Sequence, residues 1–152
     1  MKAKTVKRTQ ILKTDIETAW DFFSSPLNLA EITPDWLNFQ VVSDVPDKMY
    51  EGLILQYNVH PFAGYPVKWV TEITHSKPPY YFVDEQRNGP YKLWHHQHHF
   101  KEIDSGVEMQ DIVHHILPFE PVSTILLSGY IKSKLKEIFD YRYVKLESIF
   151  NS

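Results

Sequence analysis

The chain has 152 residues, 43% of them hydrophobic and 14% aromatic, and a formal net charge of -3. No Lys/Arg stripe runs along it, which argues against a nucleic-acid groove. With no Cys at all, disulfides, thiolate metal ligands and Cys nucleophiles are excluded.

The length suits one domain over residues 1–152, with a core large enough to fold unaided. Nine Tyr, nine Phe and four Trp serve equally as an aromatic core or as the lining of an apolar cavity. The opening stretch "MKAKTVKRTQ" is basic but lacks the apolar run of a signal peptide, and no segment reaches membrane-spanning length. A cytoplasmic protein without membrane insertion is expected.

Residues 3–12 read as a first strand. Thr14 and Glu17 have capping-box spacing, and behind them Ile16, Ala19, Trp20 and Phe23 fall on one helical face. Ser25-Pro26 then opens a second short helix over about 26–32, which stops before Thr33-Pro34. From Phe39 to Leu117 the pattern is that of strands. "FQVVSDV", "LILQYNVH", "VKWVTEIT", "PPYYFVDEQR", "YKLWHHQHHFKEI" and "VEMQDIVHHIL" follow in order. Gly64, Pro78-Pro79, Asn88-Gly89-Pro90 and Asp104-Ser105-Gly106 mark the turns between them. After Pro121 comes a long helix to about Ile149, with Ile131, Leu135, Ile138, Arg142, Leu146 and Ile149 along one stripe. Such a helix must cover something apolar, and the sheet is the only candidate. The plan is α+β: about seven antiparallel strands curved around a long C-terminal helix, with two short helices after strand 1.

Three separated stretches, "AWDFFSSPLNLAEITPDWLNF", "FVDEQRNGPYKLWHHQHHF" and "IFDYR", carry a resemblance within that order. The chain resembles the SRPBCC (START/Bet v 1-like) superfamily, and within it a bacterial ligand-binding group near the polyketide cyclase/dehydrase proteins. The resemblance implies a helix-grip fold with a hydrophobic cavity between sheet and helix. It carries over no catalytic signature, because the group mixes binders and enzymes. His115 stands where the group's last strand often has an aromatic residue.

The densest polar feature is "KLWHHQHHF", with four histidines in five positions. Alternate strand residues share a face. Trp94, His96, His98 and Phe100 therefore point one way, and Leu93, His95, Gln97, His99 and Lys101 the other. The first set has aromatic residues at both ends and reads as inward. On the next strand Val107, Met109, Asp111, Val113 and His115 form the better inward face. A turn at Asp104-Ser105 sets His98 opposite Asp111 and Trp94 opposite His115. A turn at Ser105-Gly106 sets His96 opposite His115 and Phe100 opposite Asp111. Either register brings His96, His98, Asp111 and His115 to the concave side.

Three readings of this constellation stay open: a satisfied buried network, a set of groups that hold the polar end of a ligand, and acid/base or metal chemistry. In the third, a His-x-His pair plus a carboxylate has the donors zinc uses. The leading expectation is binding of a small hydrophobic ligand by Tyr57, Trp69, Trp94, His96, His98, Phe100, Met109, Asp111 and His115. The alternative is a cyclase/dehydratase-type enzyme with His98 as base and Asp111 as its orienter. No cofactor and no metal is assigned, and the chain is expected to be a monomer or homodimer. Phe82, Asp84 and Gln86 alternate on a strand whose inward side the sequence leaves undecided. Arg142 interrupts the helix stripe and either snorkels at its edge or reaches Asp111. His95, His99 and His114 belong to the outer face.

Overall fold

The computed structural model describes residues 2–62 and 64–152. In chain order the elements are β1 (Lys4–Leu12), α1 (Ile16–Phe23), α2 (Pro26–Glu31), a 3-10 turn (Asp35–Leu37), β2 (Gln40–Val41), β3 (Ile54–Phe62), β4 (Tyr65–Lys77), β5 (Tyr81–Asn88), β6 (Leu93–Ile103), β7 (Gly106–Ile116) and α3 (Val122–Phe150). The seven strands form one sheet in the order β1-β7-β6-β5-β4-β3-β2, every neighbouring pair antiparallel. This is the expected α+β plan, with α3 packed against the sheet through Ile131, Leu135, Phe139, Arg142 and Leu146.

Local chemistry moves two boundaries. Helix α1 is capped by Asp15, not by the Thr14/Glu17 pair. One Asp15 carboxylate oxygen accepts from the Thr18 amide and the other from the Thr18 hydroxyl, both at 2.8 Å. The strand expected over "FQVVSDV" shrinks to Gln40–Val41. At Ser43 the side-chain Oγ takes the place of a backbone acceptor for the Gln56 amide, at 3.0 Å, and the ladder ends there.

The β6–β7 hairpin turns at Asp104-Ser105, with Ile103 opposite Gly106. Gly106 has φ +137°, and a Cβ on it would stand 2.1 Å from the Leu12 carbonyl oxygen. Only glycine fits where β1 ends against this turn. The register that follows sets His98 opposite Asp111 and Trp94 opposite His115.

Three clusters make up the core. Leu12, Trp20, Phe82, Phe100, Met109 and Leu146 fill one end. Leu37, Leu55, Tyr57, Val59 and Ile73 line the β3–β4 side. Tyr91, Leu117, Ile131 and Leu135 close the other end under the first half of α3. The last turns of α3 are tied to β1: the Gln10 amide donates to the Tyr143 carbonyl at 3.0 Å and to Glu147 at 2.8 Å. Asn151 donates to the Ile11 carbonyl and accepts from the Lys13 amide. No helix among the described residues is long and apolar enough to cross a membrane.

Candidate functional site

Between the sheet and α3 lies a partly open cavity of about 170 Å³, lined by members of all three clusters. Its walls are mainly apolar: Phe39, Leu55, Tyr57, Val59, Trp69, Phe82, Trp94, Leu135, Ile138 and Phe139. Burial raises the Tyr57 and Tyr91 hydroxyls above their ordinary range, so both stay neutral donors at physiological pH. One wall is polar, made by Asp84, His96, His98 and Arg142.

The polar wall is built from three adjacent strands and the helix. Asp84 projects from β5 and His96 and His98 from β6. Asp111 on β7 stands behind the two imidazoles, and Arg142 reaches down from α3. His96 Nε2 lies 2.7 Å from Asp111 Oδ1, and His98 Nδ1 and Arg142 Nη1 each lie 3.3 Å from the same oxygen. On the cavity side, His98 Nε2 is 2.6 Å and His96 Nδ1 is 3.7 Å from Asp84 Oδ2. The two imidazole rings are 3.8 Å apart, and Phe82 stacks on His98 at 4.0 Å. Asp84 is the least enclosed of the group, with its side chain 20% exposed against 3% for Asp111.

A carboxylate accepts and cannot donate, so these distances fix the protons. His96 donates through Nε2 and leaves Nδ1 as a lone pair. His98 faces a carboxylate at each nitrogen, which favours the imidazolium. Burial alone lowers the pKa of His98, but its bonds to Asp111 and Asp84 outweigh burial and raise it. For His96, burial together with the charge of His98 wins and the pKa falls. Burial raises the Asp111 carboxyl; the Arg142 guanidinium and the bonds from His96 and His98 reverse this and hold it well below the carboxylate range. Asp84 is pushed up by burial and brought below its ordinary value by His96 and by its bond to His98. Two carboxylates, one guanidinium and one imidazolium therefore cancel in charge inside a low-dielectric wall.

Of the residues singled out from the sequence, Tyr57, Trp69, Trp94, His96 and His98 line the cavity. Four do not. Phe100 and Met109 belong to the core cluster around Trp20, because strand twist carries the ends of the β6–β7 hairpin past the cavity and under α1. Asp111 is shielded from the cavity by the imidazoles it binds and borders a minor crevice with Arg8, Gln10 and Tyr143. His115 is buried beside Tyr91 and Trp94, and its Nδ1 has no hydrogen-bond partner among the described residues. Arg142 does not snorkel: it is 7% exposed and pairs with Asp111. Asp84, whose side the sequence leaves undecided and which stood outside the expected site, is the added member. The available signal was its alternation with Phe82, an aromatic residue that belongs inside. His95, His99 and His114 lie on the outer face, where they pair with Glu85, Gln97 and Thr5.

The acid/base alternative fits this geometry poorly as first drawn. Neither nitrogen of His98 is free, so it meets a substrate only after Asp84 is displaced. Asp111, its expected orienter, also orients His96.

A family model described as polyketide cyclase / dehydrase and lipid transport matches residues 12–146. The chain belongs to this family, within the SRPBCC-type proteins. Solved structures similar to it share the Bet v 1-like helix-grip fold. The Zhui aromatase/cyclase from Streptomyces sp. R1128 superposes with a TM-score of 0.74 at 10% identity, covering 95% of this chain and 92% of that one. Protein CV1439 from Chromobacterium violaceum gives 0.71 at 13% identity, over 98% and 99% of the two chains. Ara h 8.0201 gives 0.63 at 11% identity, over 97% and 99%. At these identities the likeness shows the fold. The comparison with curated proteins gives no match.

Proposed function

We propose that this protein binds a small amphipathic molecule, an aromatic body carrying a hydroxyl or similar polar group, in the cavity between sheet and helix. The observation that carries this reading is the division of the cavity: apolar walls on most sides and one charged wall with unused hydrogen-bonding capacity. Tyr57, Trp69 and Trp94 supply contact area. Asp84 and the His96 Nδ1 lone pair accept from the ligand's polar group. Arg142 Nε, buried and without a partner among the described residues, donates to it. Asp111 acts as a positioning residue that holds His96, His98 and Arg142 in place.

Size sets the ligand class. A cavity of about 170 Å³ is close to the ~150 Å³ space that admits benzene in an engineered protein core. A guest of one ring fits the space as it stands. Burying one ring, roughly 150 Å², contributes about 4 kcal/mol, and one hydrogen bond to a charged group adds about 1.5–3 kcal/mol.

Native mass spectrometry of freshly purified protein, followed by calorimetric titration with hydroxylated one-ring aromatics, tests the reading. Saturable binding of one molecule per chain is expected, weakened at least tenfold in Asp84→Asn. Binding indifferent to Asp84→Asn and to Trp69→Ala would remove the cavity from consideration. A guest recovered chemically altered would replace binding by catalysis.

A further inference from the structure

We propose that Asp84, His96 and His98 form a site for a divalent transition metal of the zinc type on the cavity wall, with Asp111 as its shared orienting carboxylate. This revises the sequence expectation in two respects. A metal site is assigned where none was expected, and the ligating carboxylate is Asp84 on β5, not Asp111.

The geometry argues for it from both sides of the imidazoles. Facing the cavity, one donor atom from each of the three residues lies within 4.8 Å of the others. Donors around a tetrahedral metal with bonds of 2.0–2.1 Å stand about 3.3 Å apart. The two separations to Asp84 Oδ2, 2.6 Å from His98 and 3.7 Å from His96, fall on either side of that value. Opening the shorter by roughly 0.7 Å, as a metal takes the place of the proton between them, and closing the longer by roughly 0.4 Å brings both to that separation. Facing away, both imidazoles turn their second nitrogen to Asp111. A carboxylate behind each ligating histidine fixes its tautomer and strengthens it as a donor. Here one carboxylate serves two, and Arg142 holds that carboxylate from the helix.

The donor set selects the ion. Two imidazole nitrogens and one carboxylate oxygen suit zinc, iron, cobalt or nickel, whereas calcium and magnesium require mostly oxygen. Three protein ligands leave a fourth position, and because all three residues line the cavity, that position faces its interior. Binding releases the proton shared by His98 and Asp84 to solvent. With the metal in place, two carboxylates and one guanidinium leave the wall with one net positive charge. The metal thereby takes over the Asp84 and His96 Nδ1 acceptors that hold the guest's polar group in the metal-free protein, and an anionic oxygen in the fourth position, hydroxide or the deprotonated hydroxyl of a guest, restores neutrality.

The test uses the full chain, stripped with EDTA and titrated with Co²⁺ alone, followed by visible absorption and calorimetry. One Co²⁺ per chain is expected, with a visible spectrum of four- or five-coordinate cobalt. X-ray absorption of the zinc-loaded protein should show two imidazoles and oxygen donors. Asp84→Asn and His96→Gln should each weaken binding by about 10–100-fold or more, since a second-shell change alone costs that much. The paired substitution of His95 and His99 by Gln, on the outer face, should leave it unchanged. A folded wild-type protein that takes up no Co²⁺ at millimolar concentration overturns the site. So does binding lost with the outer pair and kept in Asp84→Asn. Should His96→Gln fail to fold, the wild-type absorption spectrum still decides the ligand set. The outcome is separable from ligand binding, because the titrant is the metal alone and no organic guest is added.

Discussion

Replacing Arg142 by Met removes the helix's charged contact with the polar wall while nearly keeping its volume. The pair it breaks is close to fully buried, with side-chain exposures of 8% and 3% and an N–O distance of 3.3 Å. At an effective dielectric constant of 20 the attraction across that distance is about 5 kcal/mol. Part of this offsets the cost of burying the guanidinium, a cost the Met variant no longer carries. What remains is Asp111, ionised and enclosed, with His96 and His98 as its remaining partners. Breaking one side of a buried pair typically costs about 3–5 kcal/mol, and the two imidazoles bring the expectation to the lower end, about 3 kcal/mol. In a chain of this size that lowers the melting temperature by roughly 6–12 °C. Urea denaturation followed by circular dichroism reads the change directly, with an unaltered slope showing that two-state unfolding persists. Adding Asp111→Asn should recover part of the loss, because the buried charge is then gone. An Arg142→Met protein as stable as the parent, or a double variant no better than the sum of the singles, would refute the idea that this ion pair joins helix to sheet.

Three further outcomes follow from the same structure. With EDTA present, the His98 ring should remain protonated above pH 6.5 while the His96 ring is still neutral below it, as nitrogen-15 spectra of the imidazoles will report. Since the folded pKa of His98 is raised, its share of stability is complete below 6.5 and is lost as pH rises through the folded value. Since those of Asp84 and Asp111 are lowered, theirs is complete above about 4 and is lost in acid. Gly106→Ala should cost about 2 kcal/mol or more, measured as a fall in urea midpoint, because both its backbone angle and the Leu12 carbonyl oppose a side chain. Leu146→Ala, at a fully enclosed position, should cost about 3 kcal/mol; Leu126→Ala, 73% exposed on the same helix, should stay within about 0.5 kcal/mol.

The fold was legible because its signals are local and repeated. Strand alternation, proline and glycine at turns and the stripe from Ile131 to Leu146 each act within a few residues, and they agree. The inward placement of His96 and His98 was legible for the same reason. What escaped the sequence depends on contacts between distant segments. Asp84 approaches the histidines only because β5 pairs with β6 in a register that sets it opposite His96, and no property of "YYFVDEQR" alone fixes that register. Phe100 and Met109 have the right face but the wrong end of the strand, since alternation reports direction and not distance along a twisted sheet. Arg142 looks like a flaw in an apolar stripe until Asp111 is placed beneath it.

The four tryptophans are distributed unevenly. Trp69 and Trp94 meet edge to face at 5.3 Å and both border the hollow. Trp20 is sealed in the far cluster, and Trp36 is 39% exposed beneath Lys134. The molecule thus carries its own optical gauge. An incoming guest alters the surroundings of two indoles and leaves the other two as an internal reference, so ultraviolet emission from the unlabelled protein follows occupancy. Exchanging Trp36 for Phe strips away the solvent-facing background and sharpens the reading.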